Sequence, residues 1–188
     1  MKKLVSRFMA VLMAMTMILS MSMTAFAAEA SKGTLTVNNT VEGKTLDLYQ
    51  IFTATKNEAG NVAYTLNSAY EGFFKNNTRI PESESLTGEA LSEKAYEYVK
   101  TQVGEDGKNG TGFAKEILGW ILANADTVAA THTIVTTTAN TTVIRDLAYG
   151  YYVVYPLGAT DTSAAPGEQD YTSAASLVSV TDPTCVCE

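Results

Sequence analysis

The stretch Thr142–Pro156, TVIRDLAYGYYVVYP, constrains this chain more than any other. Its second half, Tyr151–Tyr155, is a run of aromatic and β-branched residues, which fit a pleated surface. Tyr151, Val153 and Tyr155 project to one side and Tyr152 and Val154 to the other. Both sides are apolar, so the strand needs packed material on each face. Pro156 has no N–H for a ladder, so regular pairing is expected to stop there. Before it, Thr142–Arg145 reads as a short strand and Asp146–Gly150 as a tight turn.

The chain opens with a different kind of constraint. Lys2, Lys3 and Arg7 precede a charge-free Met/Leu/Ala run, Phe8–Met23, and Ala25-Phe26-Ala27 is an A-x-A cleavage box. Residues 1–27 therefore read as a signal peptide cut between Ala27 and Ala28. The apolar run is short for a spanning helix, and no later stretch is long and apolar enough to span a bilayer. Cleavage removes three positive charges and takes the net charge from −7 to −10. That balance argues against nucleic acid and anionic membranes as partners. The remainder, about 160 residues, is enough for one domain with its own core. Both cysteines, Cys185 and Cys187, lie in the last four residues. A disulfide framework would spread them through the chain, so the core is expected to hold without one.

Hydrophobic periodicity divides residues 28–188 into strands, helices and strands again. Gly33–Asn38, Lys44–Thr53 and Val62–Leu66 read as strands, with Asn39–Gly43 and Lys56–Asn61 as turns. Ser68–Lys75 is a short helix, and Asn76–Pro81 breaks it. Leu91, Ala95, Tyr98, Val99 and Val103 keep helical spacing, as do Phe113, Ile117, Leu118, Ile121 and Ala125. Gly104–Gly112 is the loop between them, and Trp120 is expected to pack the helices onto the strands. His132–Thr138 and Ala174–Thr181 complete the strands, with a polar loop at Gly158–Ser173 and a stop at Pro183. The expectation is a mainly β chain: an immunoglobulin-like β-sandwich of about seven strands with a two-helix insertion at about 85–126.

Two motifs carry a family resemblance. Leu147-x-x-Gly150-x-Tyr152 resembles the signature near the end of small β-sandwich domains in Gram-positive surface proteins, the B-type repeats of collagen adhesins and related pilin domains. Gly43-Lys44-Thr45-Leu46-Asp47-Leu48-Tyr49-Gln50-Ile51-Phe52 is similar to their other hallmark, a Gly followed by a strand ending in Leu-Tyr. The two together look most like the N-terminal domain of a fimbrial (pilin) subunit, which makes 28–188 a single pilin-like domain.

The resemblance implies chemistry that can be checked residue by residue. Many such domains join a first-strand Lys to a last-strand Asn or Asp through an isopeptide bond, helped by a buried acid. A dry core is required, because there the amine loses its charge and becomes a nucleophile. Here the acid position holds Pro156, the strand Gly33–Asn38 holds no Lys, and Ser176–Glu188 holds Asp182 but no Asn. No isopeptide is expected. Lys44 with Asp47 is the nearest remnant and reads as strand-edge solvation. Lys32 precedes the first strand. The Tyr-Pro-Lys context used for sortase links is Tyr155-Pro156-Leu157 here, and no Leu-Pro-x-Thr-Gly signal follows. Sortase is therefore a partner only if a longer chain exists, and the sequence reads as the front portion of a longer subunit or a truncated product.

Other constellations do not assemble. His132 is the sole histidine, read as a surface residue; Glu82 and Glu84 read as solvated carboxylates. Cys185-x-Cys187 lacks accompanying metal ligands and reads as a frayed tail with free or intermolecular thiols. The sequons at Asn38, Asn76, Asn109 and Asn140 are taken as chance. No catalytic group and no cofactor are expected. Two functions stay open: a secreted structural module of a cell-wall fimbria whose partners are other pilin subunits, or a host-surface adhesin that binds a glycan or matrix protein.

Overall fold

The computed structural model of the chain describes residues 31–104, 110–157 and 175–187. The strands are β1 (Lys32–Thr40), β2 (Thr45–Lys56), β3 (Val62–Leu66), β4 (His132–Val135), β5 (Asn140–Ala148), β6 (Gly150–Pro156), β7 (Ser176–Val180) and β8 (Thr184–Cys187). The helices are a single turn, α1 (Glu71–Phe74), and two long ones, α2 (Gly88–Val103) and α3 (Gly110–Ala123). A three-stranded sheet runs β5-β1-β8. A five-stranded sheet runs β3-β2-β6-β7, with β4 also on β2. The architecture is a mainly β sandwich with a helical insertion, as the sequence predicts.

The five-stranded sheet lies between two separate cores. Between the sheets, Leu46 and Leu48 of β2 and Tyr152 and Val154 of β6 meet Leu35, Val37, Ile144 and Leu147 of the opposite sheet. On its other face, Tyr49 and Ile51 of β2 and Val153 and Tyr155 of β6 meet α1, α2 and α3. The alternation read in Tyr151–Tyr155 is thus filled on both sides. A register shift between Gln50 and Phe52 lets Ile51 and Phe52, neighbours in sequence, both join the helical core.

The helices bury the stripes expected of them. Leu91, Ala95, Val99 and Val103 of α2 and Phe113, Ile117, Leu118 and Ile121 of α3 are buried. Trp120, expected to pack the helices onto the strands, instead packs α3 against α1 and the turn before it, with ring centroids 5.8 Å from Phe73 and 6.5 Å from Tyr70. Ser92, absent from the apolar stripe, is buried as well. Its hydroxyl accepts from the Leu66 amide and donates to the Gly88 carbonyl, both at 3.0 Å, tying α2 to the end of β3.

Single elements depart from the sequence reading. The described residues hold eight strands, and the unforeseen one is β8. Pro183 does not end the sheet: the Thr34 amide donates to its carbonyl (2.9 Å), and Thr184–Cys187 then runs parallel to Thr34–Val37. The segment with Cys185 and Cys187 is therefore a paired strand and no frayed tail. The turn at Asp146–Gly150 is also absent. Asp146 does take a left-handed conformation (φ 58°), but as a bulge inside β5, which shifts register against β1 there. β5 continues to Ala148, and the chain passes to the other sheet at Tyr149. Finally, α3 begins at Gly110 and absorbs the end of the expected loop, while Ala125 lies beyond the helix and is exposed.

Candidate functional site

The corner at Tyr149 brings both sequence motifs together. Its amide donates to the Ser31 carbonyl (2.8 Å), and its carbonyl accepts from the Ala54 amide of β2 (2.8 Å). One residue thereby joins the two sheets. The buried Gln50 of β2 braces it: Gln50 Nε2 donates to the Tyr149 carbonyl at 3.2 Å. The backbone of Gln50 is held in turn by the Thr131 hydroxyl, which accepts from its N–H (3.0 Å), and by Asn67 Nδ2, which donates to its carbonyl (3.2 Å). A hydrogen-bond partner inside the core is what allows a polar side chain to sit there.

Gly150 is there because nothing larger fits. A Cβ would stand 2.4 Å from the Phe52 carbonyl oxygen and 2.6 Å from Gln50 Nε2. Gly33 is similarly confined, 2.6 Å from the Asp182 carbonyl oxygen and 2.9 Å from Val180 Cγ1. The Tyr152 hydroxyl reaches back to the Ala148 carbonyl (2.7 Å). Burial pushes its pKa up to about 12, against a smaller opposing effect of its contact with Gln50. The motif Leu147-x-x-Gly150-x-Tyr152 is thus a device for crossing between sheets: an inward Leu, a Gly at the close approach, and a Tyr that ties the crossing back to β5.

Beside the corner lies a lysine–aspartate contact that the sequence reading missed. Lys56, at the end of β2, places Nζ 2.5 Å from Asp182 Oδ1 and 3.1 Å from the Thr181 carbonyl. The hydrogen bond to Asp182 raises the Lys56 pKa, so the amine is held more firmly in its charged form. The Asp182 side chain is 61% exposed. Amide formation needs a neutral amine in a dry site with an acid to move protons. Among the described residues no three His, Cys, Asp or Glu side chains come together. This geometry makes an ion pair. Only the carboxylate could have been found in the sequence, as the aspartate that follows the Ala174–Thr181 run; Lys56 had no signal.

The other singled-out residues are scattered. Lys44 and Asp47 are not joined by an ion pair. The Lys44 side chain is exposed, and its amide donates to the Thr136 hydroxyl (3.1 Å), which also sits against the Val41 carbonyl. The Asp47 carboxylate accepts from the Thr133 hydroxyl of β4 (2.7 Å). Glu82 and Glu84 are exposed, and His132 is half-buried in β4 rather than a surface residue. Cys185 is a half-buried free thiol against the inter-sheet core. Ala27 and Ala28, Asn109, and the loop Gly158–Ser173 lie outside the described residues. Among the described residues, no helix is long and apolar enough to cross a membrane.

No protein-family model matches this chain, and no curated protein matches it. Among solved structures the chain is similar to the T6 backbone pilin of serotype M6 Streptococcus pyogenes, which has a modular three-domain structure decorated with variable loops and extensions. The TM-score is 0.38 at 16% sequence identity, over 85% of this chain and 28% of that one. The chain therefore spans well under half the length of that pilin.

Proposed function

We propose that this chain is an exported structural module of a bacterial surface fimbria, working by contact with neighbouring subunits rather than by catalysis. The observation that carries the reading is the meeting of its two motifs. Gly43–Phe52 and Leu147–Tyr152, far apart in sequence, pair directly: Gln50 opposes Tyr152 and Phe52 opposes Tyr151. Their residues are spent on joining two sheets, and Lys56–Asp182 beside them is a solvated ion pair. A scaffold role follows more readily from such a site than turnover does. The signal-like residues 1–27 support export.

The test is to raise antibodies to the purified chain and probe wall extracts and intact cells of the bacterium that encodes it. A ladder of high-mass bands with gold-labelled surface fibres is the expected result. A single band confined to the culture medium, with binding to host glycans or matrix proteins, would overturn the proposal in favour of a free adhesin.

A further inference from the structure

The aromatic contacts around Phe52 include one pair unlike the rest. Tyr64 of β3 and Tyr96 of α2 stack nearly parallel, with ring centroids 4.4 Å apart and planes 20° from each other. Their neighbours meet edge-on: Phe52 against Tyr64 at 6.4 Å and against Tyr96 at 6.0 Å, and Tyr151 against Tyr64 at 6.0 Å. At that separation and angle the two rings overlap face to face, so each ring lies against the other. Both residues are half-buried, reachable by solvent yet held in place. The Tyr64 oxygen is 2.9 Å from Ser179 Oγ of β7, also half-buried, which gives the phenolic proton a partner.

We propose that Tyr64 and Tyr96 form a site for oxidative cross-linking, in which hydrogen peroxide and a haem peroxidase convert the stacked pair to dityrosine. Each phenol loses one electron and one proton to give a phenoxyl radical. The two radicals join through a new bond between ortho carbons, and each ring moves its ortho hydrogen to oxygen to regain aromaticity. Two hydrogen atoms leave in all, and peroxide takes them up as it is reduced to two waters. The bond would staple α2 to β3 covalently, in a fold whose described residues contain no disulfide. Stacking supplies what a bimolecular coupling lacks, two phenol rings already held against each other.

The test treats the purified full-length chain, at high dilution, with peroxide and a haem peroxidase. Expected is a monomer that fluoresces as dityrosine, is lighter by two hydrogen atoms, and yields a cross-linked peptide joining Tyr64 to Tyr96. Tyr64→Phe and Tyr96→Phe each abolish that product, while Tyr151→Phe retains it; phenylalanine preserves the packing, and wild-type circular dichroism verifies the fold. A product that maps to another pair, forms only between chains, or survives in either the Tyr64→Phe or the Tyr96→Phe variant overturns the proposal. So does a failure to react under conditions in which free tyrosine dimerises.

Discussion

The two faces of the five-stranded sheet are packed by different means. Between the sheets the core is mostly Leu, Val and Ile, with Tyr149 and Tyr152 at the corner. Under the helices it is rich in rings: Tyr49, Phe52, Tyr70, Phe73, Phe74, Phe113 and Tyr155. Geometry accounts for the contrast. Two twisted sheets mesh over a broad area about 10 Å deep, which medium-sized aliphatic side chains fill. A helix meets a sheet along a line and leaves wedges on either side, and planar rings packed edge-on fill such wedges. Phe73 does so, contacting Phe74 at 5.0 Å and Phe113 at 6.0 Å. Arg79 clamps this region from outside, stacked 4.1 Å over Phe73 and paired with Glu116 of α3 at 2.7 Å. The inter-sheet core is bounded instead by close backbone approaches, of Gly33 to the Asp182 carbonyl and of Gly150 to the Phe52 carbonyl.

This contrast can be broken most directly by truncation. Phe73→Ala empties a fully buried ring site and is expected to cost about 4 kcal/mol, read by denaturant unfolding. Hydrogen exchange should then show α2 and α3 losing protection while β1 and β5 keep theirs; simultaneous loss would mean that the two cores behave as one. Leu35→Ala, in the other core, is expected to cost about 3 kcal/mol. Its exchange pattern should be the reverse, with the three-stranded sheet opening first. Gly150→Ala forces a methyl against the Phe52 carbonyl and is expected to cost about 2 kcal/mol. The same substitution at Gly43, where no atom lies within 4 Å of a Cβ, carries a purely conformational penalty of about 1 kcal/mol for its positive φ.

Alkaline titration sharpens the comparison further, because one tyrosine reports on each core. Burial pushes both Tyr151, on the helical side, and Tyr152, between the sheets, up to about 12. Below the ordinary tyrosine value of about 10, folded and unfolded chains are equally protonated and the stabilisation is complete. Between about 10 and 12 the unfolded chain releases protons that the folded chain keeps, so stability falls with pH. Each residue is expected to contribute about 1 kcal/mol to this fall after allowance for solvent screening. Tyr151→Phe and Tyr152→Phe should each flatten the pH profile by its own share. The smallest effect belongs outside both cores. Lys56→Met removes a solvated ion pair, and its melting curve should coincide with that of the wild type in molar salt.

The parts legible in the sequence were those fixed by local periodicity. Tyr151–Tyr155 announced two packed faces, and the stripes of α2 and α3 announced the inserted layer. The parts that were not legible depend on partners distant in the chain. Asp146 and Gly150 carry the composition of a turn, yet one is a bulge set by pairing with β1 and the other is set by the Phe52 carbonyl. β8 is four residues long, follows a proline, and pairs in parallel with a strand at the opposite end of the chain. Nothing near Thr184–Cys187 could signal it. The same holds for the candidate site, since Lys56 and Asp182 are separated by 126 positions. The sequence left Lys44 with Asp47 only as a remnant at a strand edge, whereas proximity in space pairs a different lysine with a different aspartate.

The parallel pairing of β1 with β8 has a mechanical consequence. The chain enters β1 at one end of the pair and leaves β8 at the other. Tension applied beyond Lys32 and beyond Cys187 would therefore drag the two strands past each other lengthwise. The ladder from Thr34–Thr184 to Val37–Cys187 would be loaded in shear, all rungs together, instead of being unzipped one rung at a time. Resistance to pulling would then be set by the rate at which this one strand pair ruptures, and the two cores behind it would be spared until it does.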